Sequence, residues 1–110
     1  MSNAWTVETL DATVDAELDA LPADMRARFV RIARLLETFG AEKVGALHVR
    51  HLTGPLWEMR MRGRDGISRA IYVTARGERI VVVRAFVKKT QKTPRREIEL
   101  ALRRAEEIDS

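Results

Sequence analysis

Apolar positions recur along this chain in two rhythms. Up to Phe39 they come mostly at helical spacing, and beyond it they alternate until a last helical stripe near the C-terminus. Trp5, Val7 and Thr9 share one parity, which predicts a short strand at a sheet edge over Trp5 to Leu10. Val14, Leu18 and Leu21 then fall at i, i+4 and i+7, a short helix capped by Asp11 or Thr13 and ended by Pro22. A longer helix follows from about Ala23 to Phe39. Met25, Phe29, Ile32, Leu36 and Phe39 form its stripe, Arg28, Arg31 and Arg34 turn away into solvent, and Gly40 stops it. With little more than Pro22 between them, the two helices should form an antiparallel hairpin lying on a sheet.

The period then drops to two. Leu47 to Leu52, with His48 and His51, reads as a weak strand or extended segment, and Thr53-Gly54-Pro55 as a turn. In Leu56 to Arg62, Trp57, Met59 and Met61 take the core side while Glu58, Arg60 and Arg62 take a polar side. Gly63 to Gly66 has hairpin-turn composition and leads into a strand over Ser68 to Thr74. After a turn at Ala75 to Glu78, Arg79 to Val87 is the most apolar segment. Its run Ile80-Val81-Val82-Val83 predicts a central strand buried on both faces. Thr93 and Pro94 suit the N-cap and first residue of a terminal helix whose stripe is Ile98, Ala101, Leu102, Ala105 and Ile108. The order is β-α-α-β-β-β-α. It describes an α+β domain with a small antiparallel sheet, an N-terminal helical hairpin on one face and a C-terminal helix, and at 110 residues a single domain spanning 1–110.

Charge changes this picture from a fold to a partner. The net charge of +4 conceals an asymmetry: residues 1–45 hold five Lys/Arg against eight Asp/Glu, and residues 46–110 hold fifteen against eight. From Arg84 to Arg104 there are eight Lys/Arg opposed only by Glu97 and Glu99, a concentration that attracts a phosphate backbone or an acidic protein unless it is merely a solvated helix face. The absence of cysteine excludes disulfides and thiolate chemistry. No apolar run approaches the roughly 18 residues of a membrane helix and no signal-peptide pattern opens the chain, so a cytoplasmic protein without membrane contact is expected. His48 and His51, three apart, do not share a strand face and are too few for a metal site, so neither metal nor cofactor is expected. Gly63 and Gly66 are turn glycines; no phosphate-cradling glycine loop is present.

The run G-P-L-W-E-M-R at Gly54 to Arg60, S-R-A-I-Y at Ser68 to Tyr72 and F-V-K-K-T-Q-K-T-P at Phe86 to Pro94, in this order of elements, resemble the phage-derived Gp49-like branch of the RelE/ParE toxin superfamily, close to HigB toxins. The resemblance runs from about Trp5 to Ile108. It implies the toxin of a type II toxin-antitoxin system, a ribosome-dependent mRNA endoribonuclease that works without metal. It also implies three partners: the ribosome, its mRNA and a cognate antitoxin, a helix-turn-helix protein similar to HigA. The ParE branch, which inhibits DNA gyrase by contact on the same fold, is the alternative.

Metal-free RNA cleavage needs help in deprotonating a 2′-hydroxyl, cations for the phosphorane and a proton for the departing 5′-oxygen, all within reach of clustered Lys, Arg and Tyr. By resemblance Arg60 and Arg69 match basic strand residues of the ribosome-dependent RNases, and Lys89 falls where a transition-state arginine sits, with Lys88 beside it. Tyr72 stacks a base or assists with protons, or else is a half-buried strand tyrosine. Arg62, Arg84, Lys92, Arg95 and Arg96 are the expected RNA-backbone contacts. Glu58 is read as a salt-bridge partner of Arg60 and Arg62. The relatives' C-terminal Tyr or His acid has no counterpart here, which leaves the general acid unassigned.

Overall fold

The computed structural model describes residues 5–40, 44–45, 48–89 and 91–108. Five strands and three helices follow in the order β1 (Thr6–Thr9), α1 (Ala12–Asp19), α2 (Ala23–Phe39), β2 (Val49–Thr53), β3 (Leu56–Gly63), β4 (Gly66–Ala75), β5 (Arg79–Lys88) and α3 (Arg95–Ala105). They build one sheet in the order β1-β5-β4-β3-β2. The expected weak segment around His48 and His51 forms a full strand on the outer edge of β3, so the chain has one strand more than its periodicity predicts. The sheet is also not wholly antiparallel, because β1 joins β5 in parallel, with Val7 opposite Ile80.

Both faces of the sheet are covered. On one, Val14 and Leu18 of α1 and Met25, Ile32 and Leu36 of α2 pack on Met59, Met61, Ala70, Tyr72, Ile80 and Val82. On the other, Ala101 and Ile98 of α3 meet Leu56, Ile71, Val73, Val81 and Val83. Ile80 to Val83 are accordingly buried on both sides, as their unbroken apolar run predicts. At roughly 1.5–3 kcal/mol per buried aliphatic side chain, this two-sided strand is the main hydrophobic investment of the fold.

The β1–β5 side of the sheet is closed by acids from the helices. The Val7 N–H donates to Glu37 of α2 at 3.0 Å, and beyond the short β1 the Ala85 N–H donates to Glu17 of α1 at 3.1 Å. Each removes an open strand donor that invites edge-to-edge pairing. Helix α1 starts where expected: Asp11 is its N-cap and accepts from the Val14 N–H at 3.1 Å. Gly40 ends α2 at φ 84°, and the indole of Trp5 stands 2.8 Å from where its Cβ would be, so only glycine fits.

Three expectations about burial are corrected. Phe39 is 55% exposed. Trp57 is 37% exposed, since parity sets its face but the helices do not reach it; His51 stands against it edge-on at 5.1 Å. Glu58 lies on no solvated face: it is fully buried. Helix α3 begins one residue later than predicted, with Pro94 as N-cap and no side-chain cap, while Thr93 turns inward.

Candidate functional site

Strand register lays out a grid on the α3 face. Directly opposed residues share a face about 5 Å apart, and the next row lies about 7 Å along. Arg50 pairs with Glu58, and Glu58 with Ile71. The next row holds Arg60, Arg69 and Phe86, and the one after it Arg62, Ile67 and Lys88. Helix α3 covers the rows of Val81 and Val83; its apolar cluster reaches Phe86 and leaves Arg60, Arg62 and Lys88 outside it.

Glu58 is the hub. Its carboxylate receives Arg69 Nη1, Arg50 Nη2 at 3.2 Å and the Thr93 hydroxyl at 2.8 Å, and Arg69 Nη1 also reaches Thr93 Oγ1 at 3.3 Å. Arg69 is nearly fully buried, and its Nε has no hydrogen-bond partner among the described residues. Burial pulls its guanidinium below the usual range; Glu58 works against that, and the charges of Arg50 and Arg60 add to it. Half-buried Lys88 is likewise drawn below the ordinary lysine range, first by desolvation and then by the charge of Arg69, with Arg50 and Arg60 contributing and Glu58 opposing. Four cations thus act on one another around a single carboxylate.

The expected residues divide. Arg60, Arg69 and Lys88 come together on this face. Lys89 is exposed just past the end of β5, and Lys88, the last residue of the strand, feels the charge of Arg69. Tyr72 is a correction. It lies under α1 and α2 in the opposite core, fully buried, with no partner for its hydroxyl among the described residues and a pKa pushed up to about 12 by burial. It can neither stack a base nor move a proton at the basic face.

Arg84 is a second correction. Glu97 holds it through Nε at 2.6 Å and Nη2 at 3.1 Å, and Glu17 through Nη1 at 2.9 Å. These pairs, Glu97 first, raise its pKa and leave no free edge for RNA. Arg62 is exposed on the wall of a cleft of about 260 Å³ with Arg28, His48, Arg60 and Ile67. Lys92, Arg95 and Arg96 are exposed around the start of α3, Lys92 and Arg95 on an open groove of about 840 Å³ that includes Thr53, Ile98 and Leu102.

Sequence reasoning missed Arg50, the hub role of Glu58 and the inward turn of Thr93. The phase of Arg50 against Glu58 depends on the β2–β3 register, and only the apparent weakness of β2 hid it. The ion pairs of Glu58 run to Arg50 and Arg69. His51 sets its Nε2 2.9 Å from the Gly54 carbonyl oxygen, as a turn residue does. Among the described residues no three His, Asp or Glu side chains gather to hold a metal ion, and no helix is long and apolar enough to cross a membrane.

The family model described as phage derived protein Gp49-like (DUF891) matches residues 16–106. A chain in the crystal structure of the archaeal RelE-RelB complex from Pyrococcus horikoshii OT3 is similar in fold, with a TM-score of 0.53 and 23% sequence identity over 76% of this chain and 94% of that one. A search of curated protein sequences finds no significant match.

Proposed function

This chain belongs to the phage-derived Gp49-like family, and we propose that it is the toxin of a type II toxin-antitoxin pair, a ribosome-dependent endoribonuclease that cuts mRNA without metal. One observation carries the reading: Arg60 stands directly opposite Arg69, with Lys88 and Arg50 close by, and among the described residues Glu58 is the carboxylate paired with Arg50 and Arg69. Like charges at about 7 Å repel by roughly 2 kcal/mol at an effective dielectric near 20. A fold has no use for that repulsion, and an incoming phosphate relieves it.

The chemistry follows from the cluster. The 2′-oxygen of the RNA attacks the adjacent phosphorus and loses its proton to water. The phosphorus–5′-oxygen bond breaks, which gives a 2′,3′-cyclic phosphate and a 5′-hydroxyl. Arg60 and Lys88 stabilise the charge that builds on the non-bridging oxygens. Lys88, whose ammonium is drawn below the usual range, supplies the proton to the 5′-oxygen. Arg69, held by Glu58 and Thr93, sets the field and aligns its neighbours from beneath.

The fold shared with a chain of the RelE-RelB complex supports an antitoxin partner, of the HigA-like helix-turn-helix kind on this reading, and a cytoplasmic site of action. Translation of a defined message in vitro with purified protein, followed by mapping of 5′ ends by primer extension, tests it. Cuts confined to translated codons are expected. Loss of gyrase supercoiling without cuts would move the chain to the ParE mode of action.

A further inference from the structure

Strand β2 begins at Val49 opposite Met59, and the Arg60 N–H still donates to the His48 carbonyl at 2.9 Å. From Met61 onward the outer edge of β3 has no strand beside it among the described residues. Alternation by two puts the Arg62 N–H on the same open edge as that of Arg60. The cleft of Arg28, His48, Arg60, Arg62 and Ile67 sits here.

Helix α2 is held against this edge. The Arg64 N–H at the β3–β4 turn donates to Asp24 Oδ2 at 2.7 Å, and a Cβ on Gly63 would stand 2.8 Å from both Asp24 and Met25. Glycine lets the first turn of α2 approach the hairpin. Arg28, one helical turn after Asp24, then lies on the same helix face and arrives over the strand edge. Hydrogen bonds, that from Arg64 first, hold the Asp24 carboxyl below its usual range, so this acid is committed to the turn. Among the described residues, three arginines and a histidine line the cleft and no carboxylate does.

We propose that this cleft is a second phosphate-binding subsite, which seats an RNA phosphodiester next to the one held at Lys88 and carries the strand around the sheet edge. It rests on the reading of RNA as the ligand. Arg28 and Arg62 grip the phosphate oxygens, His48 offers an imidazole donor, and Arg60 belongs to both subsites. Arg28 is thereby a binding residue and not part of the solvated face with Arg31 and Arg34.

The test uses equilibrium binding of an uncleavable 2′-O-methyl oligouridine to the full chain over a range of salt concentrations. Arg28→Gln with Arg62→Gln should weaken binding about tenfold and lower the slope of log K against log salt by roughly 0.7, the value for one phosphate contact on a single strand. Arg31→Gln with Arg34→Gln removes the same charge outside the cleft and should leave the slope unchanged. Equal losses in both double variants, or no loss in the first, overturn the subsite. Failure of the parent chain to bind the oligomer overturns it together with the RNA reading, and so does displacement of the oligomer from parent and double variant alike by an acidic peptide. Binding that follows the pattern while ribosomes remain uncut upholds the subsite and removes only the nuclease reading.

Discussion

Two clusters of arginine and glutamate flank the same sheet and differ in stoichiometry. At the β5 edge, Glu17 and Glu97 meet Arg84 and Arg104, two acids for two bases. Arg104 adds a bond to the Val83 carbonyl at 2.8 Å, and the set ties α1, β5 and α3 together. On the basic face, Glu58 is the carboxylate that Arg50, Arg69 and Lys88 meet among the described residues, and Arg60 adds its charge beside them. The first cluster is balanced and needs no ligand. The second gathers more cations than carboxylates among the described residues, and on the reading proposed above an RNA phosphate completes it. Counting bases along the sequence cannot distinguish Arg84 from Lys88, although they lie on one strand; counting the acids each one meets does.

The sharpest way to break this contrast is to remove the hub. Glu58→Gln leaves Arg69 buried and charged without its counter-ion, and should cost about 3–5 kcal/mol in urea unfolding. A loss below about 1 kcal/mol would mean that Arg69 is not held by that charge. Next in size, Lys88→Ala should lower ribosome-dependent cleavage on the order of 10²-fold. Its thermal unfolding should stay close to the parent's, because no carboxylate pairs with Lys88 alone.

Glu17→Gln should do the reverse, costing about 1–2 kcal/mol in stability for these partly exposed pairs while cleavage per folded molecule is kept. Burial pushes the Glu17 carboxyl up, but Arg104, the Ala85 N–H and Arg84 more than offset it, so its folded-state pKa is lowered. Its stabilisation is therefore present above the ordinary carboxylate pKa of 4.5 and is lost as pH falls through the lower folded value. The variant should show a flatter acid limb in a stability–pH profile than the parent. The smallest effect is expected at Tyr72→Phe, which removes a buried hydroxyl with no partner among the described residues and should change stability by under about 1 kcal/mol and cleavage not at all.

Local rhythm made the core legible. Ile80 to Val83 announced a two-sided strand, and the stripe from Met25 to Leu36 announced the helix that packs on it. What rhythm cannot supply is coverage and long-range register. Parity told that Trp57 shares a face with Met59, but not that α1 and α2 stop short of it. Thr93 had the local preferences of a cap, and a hydrogen bond to Glu58, 35 residues away, outweighed them. Glu58 alternated with polar residues and is nonetheless buried, because three partners from β2, β4 and the α3 leader satisfy its carboxylate. Arg60 and Arg69 were readable from the family's motifs; that they oppose each other across two strands is visible only in the register.

The most direct test sets the two clusters side by side in one experiment: primer-extension mapping of a message translated in the presence of equal amounts of folded parent, Lys88→Ala and Arg84→Gln protein. The account predicts cuts within translated codons for the parent and Arg84→Gln, and their near-complete loss for Lys88→Ala. Cuts that survive in Lys88→Ala and vanish in Arg84→Gln would contradict it.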